Sequence, residues 1–363
     1  MAAPRNLKDF DWVLVGLALV ISAVGILQIY SATLGTVWQD AWLRQALFVV
    51  AGVMTLFIVA RWDYHALLER APWLYVGAVV MLVAVLVVGR TVFGSRRWIP
   101  LPGGFTLQVS EFAKLVVVLL VARYLHELPG DRLEGKDLLR LGALVGIPMA
   151  LVAQQPDLGT ALTYGAIGAA GVFVAGLRWR HVVVLAVLAT LALPASWHLL
   201  RDYQKARLIS FLDPGRDPLG SGYQVIQSKI AVGSGGVWGK GVTRGSQAQL
   251  RFLPVPHTDF IFAAFAEEHG FVGVIAMLGL YFLLLMQIIQ NAQMAADRAG
   301  MYLCVGVFAL LLFHILVNVG MLVGRMPVTG IPLPLMSYGG SGVLTTFAML
   351  GLVNSVRLRR FVN

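Results

Sequence analysis

A handful of ionisable residues stand in otherwise apolar stretches, where a charge needs a partner or a task. Glu111 and Lys114 fall in Ser110-Glu111-Phe112-Ala113-Lys114. Their i,i+3 spacing puts acid and base on one helical face, as a structural ion pair or as part of a site. Asp157 sits in Gln154-Gln155-Pro156-Asp157-Leu158-Gly159-Thr160, where Pro and Gly mark a helix break, so it reads as a cap or as a ligand-facing acid. Asp259 follows Leu253-Pro254-Val255-Pro256-His257-Thr258. It too could cap a helix, but Glu267 and Glu268 continue an acidic face beyond it. His257 reads equally as a hydrogen-bonding or an acid–base residue. The run from Ala231 to Gly241, with Gly233, Gly235, Gly236, Gly239 and Lys240, could bring backbone N–H groups to phosphate oxygens. No His/Cys/Asp/Glu set has metal-ligand spacing, and there is no phosphate-binding Walker loop or Ser-His-Asp order.

The elements that must position these residues follow from composition. Of 363 residues 58% are hydrophobic and 13% charged. A span uses about 20 residues, so this apolar content supplies roughly ten spans. An ordinary soluble domain is excluded, as is a disulfide scaffold, because Cys304 is the single cysteine. The expected fold is all-α, a single polytopic membrane domain over 1–363 with spans near 12–30, 45–60, 73–88, 112–124, 138–153, 160–177, 182–200, 260–289, 301–323 and 342–356. The first reads as a retained anchor. All nine Trp residues lie in loops or near span ends, as an interfacial aromatic belt requires. Arg and Lys between spans place both termini in the cytoplasm, by the positive-inside rule.

A loop of about 58 residues, 201–258, then faces outward, and loops this long are usually functional. It carries Lys205, Arg207, Arg216, Lys229, Lys240, Arg244 and Arg251, and the shorter outer loop before the fourth span adds Arg96 and Arg97. A surface facing lipid headgroups accounts for any one of these. As a set beside membrane-depth acids, they fit an anionic ligand approached from the bilayer, and not nucleic acid. The 326–341 stretch is too rich in Pro and Gly for continuous helix, and should be re-entrant or line a protein-walled cavity.

Together these pieces resemble the SEDS family of shape, elongation, division and sporulation proteins over nearly the whole chain. Those carrying the resemblance are Ser110-Glu111-x-x-Lys114, Gln155-Pro156-Asp157-Leu158-Gly159-Thr160, Gly235-Gly236-x-x-Gly239-Lys240-Gly241, His257-Thr258-Asp259-Phe260-Ile261-Phe262 and the Asn318–Ser341 block. Gly245-Ser246-Gln247-Ala248-Gln249-Leu250 ahead of Leu253-Pro254 is similar to the elongation branch. One departure is Val255, where many members carry Glu.

The resemblance implies a peptidoglycan glycosyltransferase of the bacterial inner membrane that polymerises lipid II beside a class B penicillin-binding protein. A polyprenyl pyrophosphate needs little protonation to leave, unlike the sugar alkoxide that obliges many glycosidases to use two carboxyl groups. Asp259 is then the expected base, and Glu111 and Lys114 its support. Arg96, Arg97, Arg207 and Lys240 are expected at the pyrophosphate, with Asp157 and His257 as further substrate-binding residues. No cofactor is named, though a divalent cation at the pyrophosphate fits the chemistry without an assignable ligand set. Two rivals are a flippase for a lipid-linked precursor, which needs charges across both leaflets, and a non-catalytic scaffold, which leaves Asp259 without a task.

Overall fold

The computed structural model describes residues 9–92, 95–100, 106–128, 133–177, 180–184, 187, 190, 200, 202–220 and 222–360. Six long helices come first: α1 (Trp12–Thr33), α2 (Ala41–Arg61), α3 (Tyr64–Val88), α4 (Val109–His126), α5 (Gly135–Gln154) and α6 (Leu158–Ala175). Among the described residues, five of these and the three last long helices are long and apolar enough to cross a membrane. The exception, α4, has the length of a span but carries Glu111, Lys114 and Arg123. The chain is an all-α polytopic membrane protein. Most of the expected span at 182–200 lies outside the described residues.

Three departures from the expected elements have local causes. α3 begins nine residues before the expected 73, because Asp63 accepts from the His65 amide and starts the helix ahead of Pro72. The segment before α4 is a small antiparallel sheet of β1 (Arg90–Val92), β2 (Ser95–Pro100) and β3 (Thr106–Gln108), with Trp98 opposite Gln108. The 201–258 loop is partly helical, as α7 (Asp202–Leu212), α8 (Tyr223–Ser234) and a single turn, α9 (Ser246–Gln249). The buried stripe of α8 is Val225, Ser228 and Ala231, too small and polar to read as an apolar face.

The remaining helices are α10 (Ile261–Gln293), α11 (Arg298–Leu322) and α12 (Gly340–Leu358). α11 and α12 form the centre, with 67% and 78% of their most apolar stretches buried against 17% for α3, whose flank is left to lipid. α11 packs on α4, α6 and α10, and α12 on α2.

α10 is broken at Gly270, where φ is 65° and ψ −166°. The glycine-rich run supplies the hydrogen bonds that the break removes. Phe271 and Val272 amides donate to the Gly236 and Val237 carbonyls at 2.9 and 3.1 Å, while Lys240 and Gly241 amides donate to Glu267 and Glu268 carbonyls at 3.0 and 2.9 Å. These glycines therefore allow backbone to approach backbone, and the Lys240 and Gly241 amides are not aimed at a phosphate. A Cβ on Gly239, whose φ is +79°, would stand 2.2 Å from the Glu268 carbonyl oxygen, whereas one on Gly236 would meet nothing within 4 Å.

Gly239→Ala should therefore destabilise the protein by roughly 2–4 kcal/mol, and Gly236→Ala by only about 1 kcal/mol of backbone strain. Melting temperatures of the two variants in one detergent check this; equal shifts would reject the close-packing account.

Candidate active site

Asp259 lies just before α10 but does not cap it. The N-cap is Phe260, and no side-chain hydrogen bond serves that helix end. Instead the residue is fixed through its backbone. Asn318, on α11, donates to the Asp259 carbonyl at 3.0 Å and to the Ile331 carbonyl at 2.8 Å. That ties the turn at 257–259 to the non-helical segment 323–339. Ser337 hydroxyl adds a donation to the Thr258 carbonyl at 2.8 Å, and the Tyr338 amide one to the His257 carbonyl at 2.9 Å. Gly330, at φ 75°, faces the carboxylate, and a Cβ there would lie 3.3 Å from Asp259 Oδ2.

Burial pushes the Asp259 carboxyl above its ordinary range, the Arg97 and Arg207 guanidinium groups pull it down, and the Asp157 charge pushes it up again. Arg97 is delivered by β2 and pairs with Asp157 at 2.8 Å. Asp157 also caps α6 through the Thr160 amide at 3.2 Å and accepts from Gln108, at the end of β3, at 3.3 Å. The two readings of Asp157 thus coexist. Arg207, on α7, donates to the Thr329 carbonyl at 3.2 Å, a neutral acceptor. Arg97 Nε, Thr329 Oγ1 and Asn318 Oδ1 are buried without a hydrogen-bond partner among the described residues. Unsatisfied groups at this density mark a place where a polar ligand belongs.

Lys114 and Glu111 form a buried pair at 2.7 Å. Lys114 Nζ also lies 3.3 Å from Nε2 of His314, whose Nδ1 is 3.2 Å from the Pro332 carbonyl. The carbonyl requires the proton on Nδ1, so Nε2 accepts from the ammonium. The pair therefore braces the 323–339 segment from below through His314. Lys240 belongs elsewhere: its Nζ pairs with fully buried Glu267 at 2.6 Å. Glu268 accepts from Gln28 and Ser31 of α1 at 3.2 and 2.5 Å. The acidic face expected to run on from Asp259 is thus occupied by other partners. The side chain of Arg96 lies outside the described residues.

Sequence reasoning did not reach His314, and it took in Asn318, Thr329 and Gly330 only as members of the 318–341 block, without a role for any of them. The first two are an i,i+4 polar pair on the apolar α11, which is a detectable signal. Thr329 and Gly330 take their importance from a fold of backbone that composition alone does not specify.

Residues 10–360 match the family described as cell cycle protein that groups FtsW, RodA and SpoVE. The chain belongs to the FtsW/RodA/SpoVE family. It is similar to the peptidoglycan glycosyltransferase MrdB of Escherichia coli, 42% identical over 316 residues that cover 86% of this chain and 84% of that protein. Among solved structures it resembles a chain of a peptidoglycan synthase complex that coordinates polymerization and crosslinking, with TM-score 0.84 and 38% identity over 98% of this chain and 99% of that one. The rod shape determining protein RodA of Thermus thermophilus is also similar, with TM-score 0.74 and 32% identity over 99% and 100% of the two chains.

Within this family member the Lys114–Glu111 pair has a stability signature. Lys114→Ala should lower stability by roughly 3–5 kcal/mol by leaving a buried carboxylate unpaired, and Lys114→Met with Glu111→Gln should recover much of it. Thermal unfolding of the single and double variants measures this, and additive losses would rule out the pairing as the cause.

Proposed function

We propose that this chain is a peptidoglycan glycosyltransferase that polymerises lipid II during cell elongation. The observation that carries the reading is a half-buried carboxylate, Asp259, under the influence of two guanidinium groups and tied through Asn318 to the segment that holds the unpartnered Thr329 hydroxyl. It is supported by the relatives named above as peptidoglycan glycosyltransferases.

In this reading the Asp259 carboxylate takes the proton of the acceptor sugar hydroxyl as that oxygen bonds to the anomeric carbon of the donor. The bond from that carbon to the pyrophosphate oxygen breaks, and polyprenyl pyrophosphate leaves with the electron pair. Single displacement inverts the donor carbon. Arg207, which donates to a neutral carbonyl, and Arg97, whose Nε has no partner among the described residues, neutralise the leaving group. Asp157 orients Arg97. Lys240 is assigned to holding Glu267, not to the pyrophosphate. Glu111 and Lys114 act on Asp259 indirectly, by fixing the segment that contains Gly330. A class B penicillin-binding protein is the proposed partner for crosslinking, and the bacterial inner membrane the proposed location, with both termini cytoplasmic and 201–258 outside.

Asp259→Asn keeps the side-chain shape but cannot accept a proton. Polymer formed from lipid II, resolved on gels, should fall by roughly 10²–10⁴-fold with membrane insertion and melting temperature retained. A near-normal rate would make Asp259 structural. Because burial raises the Asp259 pKa, the rate should climb with pH through a value above that of an ordinary carboxylate, as the base loses its proton. Cysteine tags placed in 201–258 should react with an impermeant reagent from outside and tags after Asn363 should not; the reverse labelling would remove the substrate from the site.

A further inference from the structure

Beside the cationic half of the site stands a group of aromatic rings that the chemistry above does not use. Trp38, in the turn between α1 and α2, has its ring centroid 5.3 Å from that of His257 and 6.2 Å from that of Tyr338. His257 and Tyr338 are 5.9 Å apart, and Phe48 of α2 stands 6.3 Å from Tyr338. The indole is 46% exposed, while His257 is 8% exposed.

The frame around these rings is stiff. Trp38 is held by its amide on the Thr36 hydroxyl at 3.1 Å and its carbonyl under the Ala41 amide at 2.8 Å. Gln45 of α2 donates to the Ser337 carbonyl at 3.0 Å and accepts from the Gly339 amide at 3.2 Å. With Tyr338 bonded to His257 and Ser337 to Thr258, the rings are wired to the two residues preceding Asp259.

Charge separates the two ends of the 257–259 turn. At Asp259 the neighbours are Arg97 and Arg207. At His257 burial lowers the imidazole pKa to about 4, so that ring is uncharged at neutral pH. A pyrophosphate is drawn to the first end. A hexosamine ring is suited to the second, because its axial C–H bonds form an apolar face that stacks on an indole while its hydroxyls stay in water.

We propose that Trp38, His257 and Tyr338 form a carbohydrate-binding platform that seats the acceptor sugar, with its hydroxyl presented to Asp259 and the donor pyrophosphate held apart on the arginines. This rests on the polymerase reading. The platform contributes binding and alignment, not proton transfer.

The test compares Trp38→Leu, which keeps an apolar side chain but no flat face, with Trp38→Tyr, which keeps the face. Polymerisation is followed over a range of lipid II concentrations, product lengths on gels, and melting temperature as a control for folding. Trp38→Leu should raise KM about tenfold with kcat within about threefold and shorten the strands, and Trp38→Tyr should stay within about threefold of wild type on both. Trp38→Leu polymerising like wild type would overturn the platform and assign the indole to a lipid-facing anchor. Binding of a soluble, lipid-free glycan oligomer to wild type and Trp38→Leu, by calorimetry, separates the two readings. If wild type makes no polymer, the polymerase reading falls, while a glycan affinity lost in Trp38→Leu still upholds the ring site and an equal affinity rejects it.

Discussion

An ammonium inside a helical bundle must find its counter-charge within the bundle, because the surrounding lipid supplies none. Lys114 meets that requirement with Glu111 one turn before it and with the accepting nitrogen of His314 on α11. Its consequence reaches the site, since the His314 ring then has its proton on the side of the Pro332 carbonyl. The Pro- and Gly-rich segment has few backbone bonds of its own, so its shape depends on such side chains. Asn318 and Ser337 are two more, and each also bonds the turn that carries Asp259. Neutralising a buried charge and shaping a non-helical segment are here one arrangement.

The break in α10 follows the same logic. A helix interrupted at membrane depth leaves amides and carbonyls that lipid cannot satisfy, and each would cost several kcal/mol. The glycine-rich run lies against the break and takes up two amides and two carbonyls. Lys240 extends this by matching Glu267, which also accepts from Ser246 and the Gln247 amide at 3.0 Å. The short helical piece before Gly270 is thereby held independently of the long piece that follows. Asp259 at its start is anchored from both the loop and α11.

How much of this was legible in the sequence depended on the range of the interaction. The long apolar segments gave the helices, and the cost of buried charge singled out Glu111, Lys114, Asp157 and Asp259, of which the first three prove to be buried and Asp259 half-buried. Pairings one turn apart, such as Glu111 with Lys114, follow from spacing. Pairings across the fold do not: Arg97 with Asp157 needed the small sheet before α4, and Lys240 with Glu267 needed the break at Gly270. The glycine-rich run is ambiguous in sequence because close approach to a ligand and close approach to another backbone ask for the same residues. Trp38 was legible only as one more interfacial ring, since its neighbours are more than two hundred residues away in sequence.

A base in such a site faces opposing demands. Burial pushes the Asp259 carboxyl toward its protonated form, and a tight ion pair with a guanidinium would favour the carboxylate but weaken it as a base. The arrangement avoids both extremes. Arg97 is engaged directly by Asp157, and Arg207 by a carbonyl, so each acts on Asp259 through its field and not as a dedicated partner. Asp157 reduces the influence of Arg97 further while holding it in place. The field of the two guanidinium groups favours the carboxylate form, and an anionic ligand beside Arg97 and Arg207 would complete their pairing.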